Sequence, residues 1–70
     1  EALEFVARPG GKIVDRPLMD VRFPHGAMVG MIVRPDEIVV PGGDTQIHQG
    51  DHVVVFALQE AVKKVQKLFA

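Results

Sequence analysis

The 70-residue sequence predicts a small α+β domain, in which a mixed or antiparallel sheet of about four strands packs with a short helix and a C-terminal helix. Two observations carry this prediction. Runs of β-branched and aromatic residues are separated by turns rich in Pro and Gly, which is typical of consecutive strands. Residues 60–69 instead repeat apolar side chains every three or four positions, as an amphipathic helix does. The predicted order is strand, short helix, three strands, helix.

The first strand is predicted at Ala2–Arg8, where apolar and charged residues alternate loosely. Asp15-Arg16-Pro17 has the composition of a helix start, because Asp accepts free backbone N–H groups and Pro is tolerated in the first turn. We therefore expect one short helix before Phe23-Pro24. A helix of that length has to be held in place by the sheet.

Two strands are predicted next. The run Ala27–Val33 is apolar throughout, which indicates a central strand buried on both faces. Gly30 inside this run suggests a bulge or the close approach of another backbone. Arg34-Pro35-Asp36-Glu37 fits a type I turn, so Ile38–Val40 is expected to pair antiparallel with the preceding strand.

The polar loop from 41 to 51 contains residues that favour turns, namely Asp44, Thr45, Gly50 and Asp51. Its one apolar residue, Ile47, is expected in the core. The β-branched run His52–Ala57 is the clearest strand, and Glu60–Phe69 is the C-terminal helix. We interpret the loop as turn chemistry that fixes the register of the sheet.

Size and composition favour a domain that is stabilised by association. A chain of this length buries only about 60% of its unfolded surface, and without cysteine it has no disulfide. Its apolar content of 47% leaves apolar surface to spare, and its net charge of −1 gives no reason to bind nucleic acid. No basic stretch is followed by a long apolar one, so we expect no signal peptide, and no apolar run reaches the ~20 residues that cross a bilayer. We expect one regulatory domain, residues 1–70, excised from a larger protein, without direct membrane insertion.

Reaction chemistry is not indicated. The chain has no Ser or Cys to act as an acyl-transfer nucleophile, and its glycines match no phosphate-binding loop. His48 and His52 with Asp44 and Asp51 are the only candidates for a metal cluster, but no third ligand has a convincing spacing. The two aspartates are interpreted as turn formers rather than as an acid and base. We predict no catalytic residues and no metal site.

Arg22-Phe23-Pro24-His25-Gly26 is the strongest candidate for ligand binding. Arg presents a fork of donors that suits phosphate or carboxylate, and His lies beside it at the mouth of a strand. The alternative is a surface arginine followed by a turn histidine. Arg22, His25 and Gly26 are therefore candidate ligand residues.

With these residues in view, the chain resembles the RCK C-terminal (TrkA-C) domain family, whose name refers to regulators of potassium conductance. Within that family it is most similar to the last domain of the bacterial Trk potassium-uptake regulator. The resemblance covers nearly the whole chain and rests on an ordered set of motifs. They are Pro24-x-Gly26-Ala27-Met28-Val29-Gly30-Met31-Ile32-Val33-Arg34, Pro41 with Asp44-Thr45-x-Ile47, Gly50-Asp51-His52-Val53-Val54-Val55-Phe56, and Val62-x-x-Val65-x-x-Leu68-Phe69.

The resemblance implies a β-α-β-β-β-α fold and a cytoplasmic regulatory module, not an enzyme. In whole family members NAD(H) or ATP binds an N-terminal domain, so no cofactor is expected in this chain. The family's C-terminal domains pair, and in some branches the dimer cleft binds cyclic di-AMP. Arg22 matches the arginine of that branch, whereas Met28 stands where the branch has an Asn.

Three functional hypotheses follow. The first is a homodimerising regulatory module that acts on a potassium transporter at the inner face of the cell membrane, through the full-length protein. Its expected interface consists of Leu18, Met19, Met28, Val29 and Met31. The second is a nucleotide or cyclic-dinucleotide sensor of another cation channel or antiporter, with Arg22, His25 and Gly26 at the ligand. The third, an enzyme fragment such as a cupin-like barrel, lacks that fold's tight histidine pair with a Glu.

Overall fold

The computed structural model describes all 70 residues as one four-stranded antiparallel sheet covered on one face. The strands lie in the order β1-β4-β2-β3. Their bounds are β1 Ala2–Val6, β2 Ala27–Val33, β3 Ile38–Val39 and β4 His52–Ala57. The α+β class and the antiparallel pairing of β2 with β3 are confirmed. No helix in the chain is long and apolar enough to cross a bilayer.

The predicted short helix is only a 3₁₀ turn, Leu18–Asp20. Its flanks prevent a longer helix, because Pro17 is extended with ψ of 139° and Val21 returns to extended backbone with ψ of 127°. Asp15 adopts a left-handed φ of +62°, which Asp tolerates better than most residues. The segment is therefore irregular and is held by its neighbours as well as by a few hydrogen bonds of its own.

The C-terminal helix consists of a 3₁₀ turn, Gln59–Ala61, followed by α1, Val62–Leu68. Its apolar stripe closes the core as predicted, with Val65 fully buried. After the helix, the Phe69 ring stacks on Phe5 of β1, with ring centroids 4.3 Å apart and planes 5° from parallel. The stacking fixes the end of the chain to an edge strand.

The core lies on one face only, the inner face of the sheet. Val53, Val55 and Ala57 point inward from β4, and they lie opposite Ile32, Val29 and Ala27 of β2. Ile47 enters the same core from the polar loop, as predicted, and is fully buried.

The expectation that β2 is buried on both faces is wrong. Three side chains of β2 point away from the core, those of Met28, Met31 and Val33, and the side chain of Met28 is exposed. Only the inner face of β2 is covered, because the helix and the irregular segments all pack on that side.

Gly30 marks a bulge, as its place in the strand predicted, and the group that approaches it closely is a side-chain ring and not another backbone. The register between β2 and β4 shifts between Val29 and Met31, so Gly30 has no partner of its own. A methyl group added at Gly30 would overlap the Phe56 ring, lying 2.6 Å from its Cδ2. The ring of Phe56 therefore lies over the bare backbone of Gly30.

Replacement of Gly30 by Ala is expected to displace the Phe56 ring and lower the free energy of unfolding by about 1–2 kcal/mol, as overpacking does. Urea unfolding of the chain measures this change. The matched control is Gly30→Ala in a Phe56→Ala background, where the overlap is gone and the cost should fall well below that of the single change. Equal costs in both backgrounds would contradict the proposed contact.

Candidate functional site

A buried carboxylate organises the end of the sheet where the polar loop begins and ends. Asp51, only 5% exposed, accepts hydrogen bonds from Arg34 Nε at 3.1 Å to Oδ1 and from Arg34 Nη2 at 3.1 Å to Oδ2. The backbone N–H of His48 donates to the same Oδ2 at 2.8 Å. Arg34 Nη2 also donates to the Gln46 carbonyl at 2.9 Å. This group, the Arg34–Asp51 clamp, joins the end of β2, the loop and the start of β4.

The electrostatics of the clamp favour the charged form of both partners. Burial alone would raise the pKa of Asp51, but the hydrogen bonds from Arg34 and the His48 N–H, together with the guanidinium charge, outweigh it and lower that pKa. The hydrogen bond to Asp51 is the main cause that raises the pKa of Arg34. The pair is therefore ionised across the physiological range.

Turn geometry beside the clamp follows the sequence prediction. Gly50 has a φ of +86°, a conformation that glycine adopts without strain, and its N–H donates to the Ala7 carbonyl at 2.8 Å. Thr45 Oγ1 accepts the Gly42 N–H at 2.9 Å. The loop is thus fixed by its own side chains as well as by the clamp.

The fixed loop in turn holds the irregular segment that covers the core. The N–H groups of Asp15 and Leu18 donate to the carbonyls of Ile47 and Thr45, at 2.8 and 2.9 Å. His48 Nδ1 lies 2.9 Å from Asp15 Oδ1 on the same boundary. The loop therefore positions the chain that leads into Arg22.

The four residues considered for a metal cluster are dispersed. His48 pairs with Asp15, whereas His52 Nδ1 lies 3.0 Å from Glu4 Oε2 on the opposite face of the sheet. Asp51 is used by the clamp, and Asp44 is exposed in its turn. No group of three or more His, Cys, Asp or Glu side chains is arranged to hold a metal ion.

The candidate ligand residues lie on the stretch that leads into β2, with Arg22 before the turn and His25 and Gly26 in it. Arg22 and His25 are exposed, and no carboxylate lies within ion-pair distance of either. The Gly26 carbonyl accepts the Leu58 N–H at 2.8 Å, which ties the turn to the end of β4. Gly26 also borders an open apolar depression of about 450 Å³, which neither Arg22 nor His25 lines. The ligand role of the three residues stays a prediction.

We call the side of the sheet that points away from the core the outer face. It consists of Ala2, Glu4 and Val6 of β1, Met28, Met31 and Val33 of β2, Ile38 of β3, and His52, Val54 and Phe56 of β4. Eight of these ten side chains are apolar, and Met28 is 61% exposed and Phe56 48% exposed. An apolar sheet face without a cover is a feature of interaction surfaces.

The residues predicted to form a dimer interface do not share one surface. Met28 and Met31 lie on the outer face, whereas Val29 and Leu18 pack against the core. Met19 is 68% exposed but lies on the irregular segment, beside Gly43. Their role in an interface stays a prediction. The structure shows only that the five residues lie on different parts of the molecule.

Two features were missed from the sequence. The exposure of Phe56 follows from its alternation with the buried Val55 and Ala57, so the period of β4 contained the signal. The partnership of Arg34 with Asp51 carried no local signal, because 17 positions separate the two residues.

The comparisons with known proteins place the chain among small regulatory domains of the RCK class. A solved structure described as "Structure of RCK domain with cda" is similar, with a TM-score of 0.83 and 26% identity over 99% of this chain and 97% of that one. Residues 2–70 match the TrkA-C domain family. The chain belongs to the TrkA-C domain family.

Relatives with high similarity are named as potassium uptake proteins. Trk system potassium uptake protein TrkA homolog 2 of Methanosarcina mazei is 45% identical over 69 residues, which are 99% of this chain. Trk system potassium uptake protein TrkA of Azorhizobium caulinodans is 38% identical over 69 residues. The chain spans 15% of the length of each of these relatives.

Replacement of Asp51 by Asn is expected to lower the free energy of unfolding at pH 7 by about 2–4 kcal/mol, because it leaves a largely buried guanidinium without its counter-ion. Chemical unfolding measures the change. Glu37→Gln is the matched control, since Glu37 Oε2 lies 4.0 Å from the same guanidinium but its side chain is 58% exposed. An exposed pair of this kind contributes under about 1 kcal/mol.

The effect of pH follows from the direction of the Asp51 pKa. Because that pKa is lower in the folded chain, its stabilisation is complete above the unfolded pKa of about 3.9 and is lost as pH falls through the folded value. The difference between the parent chain and Asp51→Asn should therefore shrink below pH 4. A difference that is unchanged from pH 7 to pH 2 would contradict the ionic role of Asp51.

Proposed function

We propose that this chain is the regulatory and dimerisation domain of a Trk-type potassium uptake system and transmits a ligand state to a membrane transporter. The observation that carries the proposal is the match of residues 2–70 to the TrkA-C family, together with relatives named as Trk system potassium uptake proteins. The domain acts by binding and not by catalysis.

The proposed setting is the cytoplasmic side of the membrane. The domain reaches the membrane subunit of a potassium transporter through the full-length protein, which places it at the inner face of the membrane. It carries no cofactor of its own, and NAD(H) or ATP binds a separate N-terminal domain of the longer protein. Pairing of two copies supports the fold by mass action, because association stabilises only the folded chain.

Deletion of this domain from the full-length protein is expected to leave transport by the membrane subunit active but independent of nucleotide. We propose that this domain transmits the state of the nucleotide-binding domain to the transporter, and the truncated protein would lack it. Rubidium uptake into vesicles that contain the transporter measures this, with and without nucleotide.

Full-length protein with Lys64→Ala on the exposed face of α1 is the control, and it should keep the response to nucleotide. A truncated protein that still responds to nucleotide would contradict the regulatory role.

The second candidate is a small-molecule sensor, a nucleotide or cyclic-dinucleotide domain of another cation channel or antiporter. It is favoured by the exposed guanidinium of Arg22 and the exposed ring of His25, which precede β2 and have no carboxylate partner. The structural relative described with cda also supports a ligand for this class of domain. In this candidate the guanidinium of Arg22 binds a phosphate of the ligand.

The sensor candidate predicts a ligand-specific rise in melting temperature. A ligand at 100 times its Kd stabilises the folded state by about 2.7 kcal/mol, which raises the Tm of a chain of this size by roughly 10 °C or more. ATP, NADH and cyclic di-AMP are the probes. Arg22→Ala should abolish the rise in melting temperature. Arg8 is also an exposed arginine but is not among the candidate ligand residues, so Arg8→Ala should keep the rise. The absence of any rise would remove this candidate.

A further inference from the structure

The strand β1 is a free edge of the sheet. It pairs only with β4, and the hydrogen bonds beyond its two ends show which of its backbone groups this pairing uses. The Ala57 N–H donates to the Glu1 carbonyl and the Ala7 N–H to the Asp51 carbonyl, both at 2.9 Å. Because hydrogen-bonded pairs alternate along an antiparallel ladder, the backbone groups of every second residue point away from β4. Those residues are Ala2, Glu4 and Val6.

The outward-pointing groups of β1 are open to a partner. No turn, loop or cap in the chain bonds to Ala2, Glu4 or Val6, and all three residues are exposed. Each presents one N–H donor and one carbonyl acceptor. The edge is about 17 Å long, since each of its five residues rises about 3.4 Å. It therefore offers a regular row of donors and acceptors to one more strand.

The other edge of the sheet is protected, whereas β1 is not. β3 has only two residues, and Pro35 and Pro41 lie on either side of it. Short edge strands and prolines prevent the addition of another strand. β1 has five residues and contains neither Pro nor Lys. An additional strand can therefore use its whole length.

We propose that β1 accepts an extended segment of a partner protein as an additional antiparallel strand of the sheet. An extended peptide repeats backbone donors and acceptors at the spacing of the edge. Antiparallel pairing continues the pattern of every other pair in the sheet. The edge contains none of the candidate ligand or interface residues, so this partner is additional to the function proposed above.

The side chains of β1 define which peptide fits. Leu3 and Phe5 are half-buried at the margin of the core, so the residues that lie beside them in the partner are apolar. On the outer face, Glu4 Oε2 lies 3.0 Å from His52 Nδ1, and the other oxygen of Glu4 has no partner. A Lys or Arg opposite Glu4 supplies the opposite charge, which stabilises a cross-strand pair. The fitting partner therefore alternates basic and apolar residues.

A second copy of this chain does not fit the edge. Antiparallel pairing of β1 with another β1 over its whole length places Glu4 opposite Glu4. Like charges directly opposite each other destabilise a sheet. The occupant is therefore a different segment, with a positive charge at the position where a second copy has a negative one.

A fluorescent peptide of alternating Lys and Val, acetylated and amidated, is the probe, and fluorescence anisotropy measures its binding to the chain. In antiparallel addition, a lysine opposite Glu4 exchanges hydrogen bonds with it, so the lysine N–H groups face β1 and the valine N–H groups face solvent. N-methylation of the lysine amides should weaken binding by more than about tenfold. N-methylation of the valine amides keeps the same charge and should change the affinity by less than about threefold.

Two proline variants locate the site. The Val6 N–H points away from β4, so Val6→Pro removes a free donor and no hydrogen bond of the sheet. It should weaken binding of the peptide by more than about tenfold. Ile38→Pro makes the same kind of change on β3 and should leave the affinity within about twofold of the parent chain. Thermal melts followed by circular dichroism establish that both variants are folded.

Exchange of charge tests the chemistry of the partner. Glu4→Lys should weaken the binding of the Lys-Val peptide and should favour a peptide of alternating Glu and Val. Asp36→Lys changes the net charge of the chain in the same way, at an exposed turn next to the other edge. It should not reverse the preference between the two peptides.

The outcomes decide whether β1 accepts a strand. Absence of binding by the unmethylated peptide, or binding that survives methylation of the lysine amides, overturns the proposal, and neither result depends on the folding of a variant. Binding that survives Val6→Pro and is lost in Ile38→Pro overturns the assignment to β1. A dimer of the parent chain that Val6→Pro abolishes in sedimentation shows that a second copy occupies the edge and also overturns the proposal. Loss of binding with methylated lysines and in Val6→Pro, but not in the two controls, supports it.

Discussion

The covering of the inner face depends on the Arg34–Asp51 clamp. A carboxylate buried to this degree is tolerated only because a guanidinium and a backbone N–H satisfy both of its oxygens. The same residue also uses its carbonyl to accept the Ala7 N–H at 2.9 Å. One position thus fixes the ends of β1 and β2, the start of β4 and the polar loop relative to one another.

The clamp explains how a chain with one short helix closes a core. Twelve of the 70 residues are buried, so the inner face has little apolar material to cover it. The loop supplies Ile47 to the core and, through backbone hydrogen bonds, holds the segment that supplies Ile13 and Val21. Irregular backbone therefore covers the part of the inner face that a second helix covers in larger domains. No other part of the chain covers the outer face.

The sequence predicted what is local and missed what is long-range. The bounds of β2 and β4, the bulge at Gly30 and the turn at Gly50 follow from residue type and period. One-sided burial of β2 did not follow, because an apolar run looks the same whether a face is covered by the core or open to a partner. Arg34 offered no signal either, since its role is set by Asp51, which lies 17 positions away at the end of the polar loop.

The turn at Gly26 connects the candidate ligand residues to the outer face of the sheet. Its carbonyl holds the Leu58 N–H, and Leu58 continues the chain directly from β4, two positions after Phe56. Gly26, Met28 and Phe56 also line the same apolar depression. The candidate ligand residue Gly26 and the outer-face residues Met28 and Phe56 therefore border one depression, which the hydrogen bond from Leu58 to Gly26 closes at the end of β4.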